Sequence, residues 1–283
     1  MLDRRTVLAA APCLLVAHNA VAQSDPFAGL EARHGGRLGV AALDTGSKRR
    51  LAWRADERFP MCSTFKTLLV SDLLARVDRH AERLDRRIAF GPADLLDFAP
   101  VTRAHVNEGG MTLGALAAAA ASYSDNTAAN LLLAHLGGPA GVTAYVRTLG
   151  DTVTRLDRTE PGANTCIPGD PRDTTSPSAM LGDLQTLAFG HALSETSRTR
   201  LITWLADYQM KGVRIPAGIP ASWRSADKMG TGAHATANDV AVLWPPGRAP
   251  ILVAAYYTAS QASRAEQDAL LADVGRIVVQ RFS

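Results

Sequence analysis

The sequence predicts an α/β chain of the α+β sandwich kind: one antiparallel five-stranded sheet flanked by helices, into which an all-helical lobe is inserted. Strand patterns come at the two ends of the chain, two near the start and three near the end, with helical periodicity between them. A sheet built from both termini, with the intervening helices packed on and beside it, buries the apolar faces that this order creates. The 283 residues are 47% hydrophobic and 20% charged, enough for one catalytic unit with a sizeable core. We divide that unit into an α/β lobe, residues 23–60 and 209–283, and a helical lobe, residues 61–208, with the active site between them.

Residues 37–44 and 49–54 are strand-like and are joined by Thr45-Gly46-Ser47-Lys48, which is turn chemistry, so they form a hairpin. From Ser63 the pattern turns helical. Phe65, Leu68, Leu69, Leu73 and Leu74 recur at three- and four-residue steps, and their neighbours are apolar too, which predicts a helix buried nearly all round. Further helices are expected at 113–122, 127–136, 139–148, 177–193 and 197–208, separated by Gly, Pro and Asp clusters. Strand patterns return at 223–229, 236–244 and 251–258, and an amphipathic helix at 263–282 closes the chain.

Thirty basic residues against 27 acidic ones give a net charge of +3. The basic residues are scattered, which argues against a nucleic-acid partner. Arg4 and Arg5, the apolar stretch Val7 to Ala17 and the small-residue site Ala20-Val21-Ala22 read as a signal peptide cleaved after Ala22. The paired arginines give it a twin-arginine character, with Asp3 where Ser or Thr is usual. Export to the periplasm follows. An uncleaved anchor helix is the alternative, but the apolar run falls short of the ~20 residues that span a bilayer, so no stable membrane association is expected. Cys13 lies in this segment, leaving Cys62 and Cys166, which permit one disulfide and do not require it; two free buried thiols are expected. The histidines at 18, 34, 80, 105, 135, 191 and 234 have no metal-ligand spacing, so neither metal nor cofactor is expected. The mature protein is expected to be a monomer.

Ser63 and Lys66 stand three residues apart, which on a helix puts hydroxyl and amine on one face. An ammonium in an apolar helix is disfavoured by desolvation, so Lys66 can take the serine proton. An ordinary helix start is the competing reading. Ser225 and Lys228 repeat the spacing on a strand, where it sends the side chains to opposite faces. Ser124-Asp125-Asn126 adds a second hydroxyl and an amide on a loop between helices, able to relay a proton and hold a carbonyl, and equally able to cap the helix that follows. Lys228-Met229-Gly230 brings a cation to a late strand, where Gly230 allows a ligand close to the backbone.

Ser-x-x-Lys, Ser-Asp-Asn and Lys-x-Gly, in this order on helix, loop and strand, resemble the class A serine β-lactamases, whose fold is that of the penicillin-binding proteins. Arg158-Thr159-Glu160-Pro161-Gly162-Ala163-Asn164 is similar to the family's loop that positions the hydrolytic water. The resemblance spans roughly residues 37–280. It implies hydrolysis of β-lactam antibiotics, with Ser63 as nucleophile, Lys66 as its proton partner and Ser124 as relay to the ring nitrogen. Glu160 and Asn164 hold the deacylating water. Backbone N–H groups of Ser63 and Thr231 form the oxyanion hole. Lys228, Thr231 and Arg214 meet the substrate carboxylate, with a solvated surface charge as the other reading of Arg214. Asn126 meets the substrate amide, Phe98 forms an aromatic gate or simply packs, and Asp173 pairs with Arg158 to close the loop. The Glu160-Pro161 bond is expected to be cis.

Met229 stands where the family has Thr or Ser, and Gly232 where some members have a cysteine that pairs with the residue at Cys62. Three rivals remain: a DD-peptidase or sensor domain, which the segment Glu160 to Asn164 disfavours, an inactive binding module on the same fold, and a serine glutaminase, which the signal peptide disfavours.

Overall fold

The computed structural model describes residues 25–210 and 212–283; the signal-peptide reading of residues 1–22, Cys13 included, lies outside them. Five strands form one antiparallel sheet: β1 (Arg37–Asp44), β2 (Arg50–Trp53), β3 (Arg224–Gly232), β4 (Thr236–Trp244) and β5 (Ile251–Thr258), in the spatial order β2-β1-β5-β4-β3. The sheet is built from both ends of the chain, with β1 hydrogen-bonded to β5 so that Ala41 faces Ala254.

The central strands are apolar on both faces because both are covered. Ala41, Leu43, Val240, Val242, Leu252, Ala254 and Tyr256 face the cluster that continues into the helices of residues 65–206. Val40, Ala42, Ala241, Val253 and Ala255 point the other way, onto α1 (Pro26–His34) and the C-terminal helix α8 (Arg264–Phe282) through Phe27, Leu30, Leu270, Val274 and Val278. Between the two ends of the sheet lie α2 (Phe65–Asp78), α3 (Leu113–Ser122), α4 (Asn126–Leu136), α5 (Gly138–Thr148), α6 (Pro177–Phe189) and α7 (Glu195–Ala206). Helix α2 is buried from Phe65 to Ala75, as its all-round apolar pattern requires.

Several element ends differ from the sequence expectation. Helix α6 stops at Phe189 rather than 193 because Gly190 follows it, and α7 starts at Glu195 because Ser194 caps it, its side chain accepting from Ser197 N at 3.2 Å. Strand β3 runs past Met229 to Gly232, its last residues paired with Asn238, Ala237 and Thr236 of β4. Here a partner strand overrides weak strand formers. Helix α1 has no counterpart in the sequence reading, since only Phe27 and Leu30 are buried on it. Two short ribbons were also missed; one joins Phe59–Pro60 to Thr174–Thr175 and so brings the segment before Ser63 against the segment after Asp173.

Candidate active site

Residues Cys62–Thr64 form a 3-10 turn that leads into α2. The turn is held from several sides. Met61 O accepts from Thr64 Oγ1 at 2.8 Å and from Asn238 Nδ2 at 3.0 Å, and Met61 N donates to Asp173 O at 2.9 Å. A Cβ on Gly230 would meet Met61 O at 2.6 Å. The bare backbone of Gly230 thus makes room for the nucleophile turn.

Lys66, the second residue of α2 and three residues beyond Ser63, is wholly buried, and its Nζ lies 2.8 Å from Ser124 O, 2.6 Å from Asn126 Oδ1 and 3.1 Å from Glu160 Oε1. Ser63 Oγ donates to that same Glu160 oxygen at 3.5 Å. Burial pulls the Lys66 pKa below the ordinary lysine value, and Glu160 opposes the shift. Lys228 is also wholly buried, over the Tyr208 ring at 4.4 Å. Desolvation first, then the Lys66 charge, holds its pKa well below normal. The two lysines flank the Ser124 hydroxyl, at 3.4 Å from Lys66 Nζ and 3.0 Å from Lys228 Nζ. Ser225 lines a separate cavity with Arg224 and Trp244, in keeping with the strand alternation that separates it from Lys228.

The capping reading of Ser-Asp-Asn describes its central residue. Asp125 caps α4 by accepting from Ala128 N at 2.8 Å, and it also accepts from Val101 N and Thr102 N, each at 2.9 Å. That frees Ser124 and Asn126 to face the cleft. Asn126 N donates to Phe98 O at 2.9 Å, which sets Phe98, 49% exposed, at the cleft rim.

Glu160 is fixed at both ends. Its side chain accepts from Asn164 Nδ2, and its backbone N and O bond Asn130 Oδ1 and Nδ2 at 2.9 Å each. Asn130, on α4 four residues after Asn126, was missed because its sequence context is that of any helix. The Glu160-Pro161 bond is cis. Asp173 closes the loop: Oδ1 accepts from Asp157 N at 2.8 Å and Arg158 N at 2.9 Å, and Oδ2 accepts from Arg158 Nε at 2.5 Å. Asp173→Asn removes the charge opposite a guanidinium that is only 21% exposed. The expected cost is about 2–4 kcal/mol in urea unfolding; stability equal to wild type would contradict this.

The cleft has a volume of about 310 Å³, and its lining includes Ser63, Ser124, Asn126, Asn164, Tyr208, Met229, Thr231 and Arg264. Arg214 does not line it. It is wholly buried, donating to Asp268 Oδ1 at 2.8 Å, Gly230 O at 2.7 Å and Thr231 Oγ1 at 2.9 Å. It is therefore neither a solvated charge nor directly exposed to the cleft, and Arg264 stands there instead. Arg264 occupies the first position of α8, where the helix dipole disfavours a cation. That conflict was the signal available in the sequence. Cys62 and Cys166 are free and buried, their sulfurs 3.3 Å apart, and a Cβ on Gly232 would come within 2.4 Å of Cys166 Sγ. The neighbouring Cys166 sulfur and burial raise the Cys62 thiol pKa.

A serine in a held turn, a buried lysine–carboxylate pair behind it and a five-stranded sheet with a helical cluster define a serine hydrolase. The model of the β-lactamase enzyme family matches residues 24–282. β-Lactamase CTX-M-25 of Escherichia coli is 48% identical over 256 residues, covering 90% of this chain and 88% of that one. β-Lactamase OXY-1 of Klebsiella oxytoca is 43% identical, covering 98% and 97%. Among solved structures, an ancestral (GNCA) class A β-lactamase superposes with a TM-score of 0.89 at 58% identity, covering 91% of this chain and 98% of that one. The chain belongs to the β-lactamase enzyme family, as a class A enzyme.

Proposed function

We propose that the enzyme opens β-lactam rings through an acyl-enzyme on Ser63 and releases the product with water activated by Glu160. The observation that carries this reading is the convergence of Ser63 Oγ and Lys66 Nζ on Glu160 Oε1, at 3.5 and 3.1 Å, in a buried setting. Ser63 Oγ attacks the ring carbonyl and its proton passes to the Glu160–Lys66 pair, the usual activation of a weak alcohol nucleophile by an adjacent base. Backbone N–H groups of Ser63 and Thr231 stabilise the oxyanion. The C–N bond breaks, and the ring nitrogen takes a proton from Ser124, which regains one from Lys66 at 3.4 Å, so the proton taken from Ser63 ends on the ring nitrogen and Glu160 is left ionised.

For deacylation Glu160 withdraws a proton from water as the water attacks the ester, and the proton ends on Ser63. Asn164 supports this role: Nδ2 holds the carboxylate while Oδ1 is buried without a protein partner, an acceptor suited to water. Asn126 meets the substrate amide, Phe98 shapes the rim, and Lys228 and Thr231 meet the substrate carboxylate. Arg158 and Asp173 keep the loop closed. In this reading residues 1–22 direct the enzyme to the periplasm, where it confers antibiotic resistance. No helix of the described residues is long and apolar enough to cross a membrane.

Nitrocefin hydrolysis with intact-protein mass spectrometry tests the reading. Sustained turnover through an adduct on Ser63 is expected. One stoichiometric burst would make the protein a sensor, and absence of acylation a binding module.

A further inference from the structure

We propose that Cys166 is a modification site for small disulfides, reached from a cavity beside residues 166–171, and that Cys62 resolves the adduct into a Cys62–Cys166 bond that slows the enzyme. The cavity has a volume of about 640 Å³ and is lined in part by Cys166 and Ile167. Sites for small molecules span roughly 300–1,000 Å³. This cavity and the substrate cleft have no described lining residue in common. The charges of its lining residues Arg37, Arg58, Glu57 and Asp170 cancel, which suits a neutral compound such as 2-hydroxyethyl disulfide. Cys166 is 5% exposed, whereas Cys62, which does not line the cavity, is wholly buried, with the two sulfurs 3.3 Å apart. Neither thiol has a part in the proposed reaction. The periplasm proposed for the enzyme is an oxidising compartment.

The hydrogen bonds set the order of attack. Cys166 Sγ donates to Asn164 O at 3.3 Å, so its sulfur is left to accept from Cys62. The Cys62 S–H bond holds the Cys166 pKa below the ordinary thiol value, against burial, and the thiolate is the nucleophilic form. Cys166 therefore attacks one sulfur of the entering disulfide. That S–S bond breaks, and one half leaves as a thiol with the proton that Cys166 gave up. Cys62 then loses its proton and attacks Cys166 Sγ, and the second half leaves as a thiol. Two electrons pass from the protein thiols to the small disulfide. Gly232 makes room for the pair, since a Cβ there would collide with both sulfurs. The new bond joins the residue before Ser63 to the loop that carries Glu160 and Asn164. Forming it brings the sulfurs from 3.3 Å to about 2.05 Å. A shift of roughly 1 Å passed to Ser63 or Glu160 costs up to about 100-fold in rate.

In the test, reduced wild-type protein is treated with 2-hydroxyethyl disulfide, alkylated and mapped by peptide mass spectrometry. A Cys62–Cys166 bridge is expected. Cys62→Ala and Cys62→Ser should stop at a mixed disulfide on Cys166, and Cys166→Ala should leave Cys62 unmodified. An adduct that forms first on Cys62, or two thiols that stay free in the folded enzyme while the urea-unfolded chain reacts, would overturn the proposal. The kinetic arm rests on the acyl-enzyme reading. Oxidation is expected to lower nitrocefin turnover about 10- to 100-fold, dithiothreitol to restore it, and Cys166→Ala to be indifferent to the oxidant. Undiminished turnover of fully bridged protein would overturn the switch. If reduced wild-type protein shows no turnover, only the acyl-enzyme reading fails, because the mapping still decides the thiol chemistry.

Discussion

Glu160→Gln is expected to take up a β-lactam and then fail to release it, with deacylation slowed about 10³-fold, the size of a lost general base. Acylation should persist for a reason internal to the site. The Lys66 pKa is set by burial, which lowers it, against Glu160, which raises it. Replacing the carboxylate by an amide removes the opposing effect, so the Lys66 pKa falls further and more of the amine is neutral at a given pH. Any acid limb of acylation that reports Lys66 deprotonation should therefore move to lower pH in the variant. Mass spectrometry of a quenched reaction would show the adduct accumulating to one per protein. An adduct that clears at the wild-type rate would mean that Glu160 does not activate the water.

Lys66→Met should give the complementary defect. Methionine fills similar volume without an amine, so acylation is expected to fall about 10³-fold or more. The stability cost should also be large, because Glu160, Ser124 O and Asn126 Oδ1 all lose a buried donor. Removing one partner of a buried ion pair typically costs about 3–5 kcal/mol. Urea unfolding at neutral pH reads this directly. Stability equal to wild type would show that the lysine does not hold the loop, and acylation within tenfold of wild type that it does not carry the proton. Because Lys66 holds two elements as well as a proton, its loss should be felt in both folding and chemistry.

The elements that a residue pattern specifies were legible in the chain. The α2 helix could be read because a run such as Phe65, Leu68, Leu69, Leu73 and Leu74 fits only a buried helix. The hairpin of β1 and β2 could be read because Thr45 to Lys48 is turn chemistry between alternating strands. Ser63, Lys66, Ser124 and Glu160 could be proposed because their spacings have a chemical meaning on those elements. Asn130, Tyr208 and Arg264 carried no such spacing. Each is an ordinary residue of a helix or loop until a distant segment meets it, as Glu160 meets Asn130 across 30 positions.

Local pattern therefore pointed to the residues proposed to carry the chemistry and to the elements that hold them. Only the tertiary structure decided which arginine lines the cleft. Arg214 and Arg264 carry the same charge, 50 positions apart, and both bond Asp268 and Thr231. Burial of Arg214 behind β3 and exposure of Arg264 at the start of α8 separate their roles. Solvent access is a property of the packed whole, because it depends on what covers a side chain rather than on what precedes it in the chain.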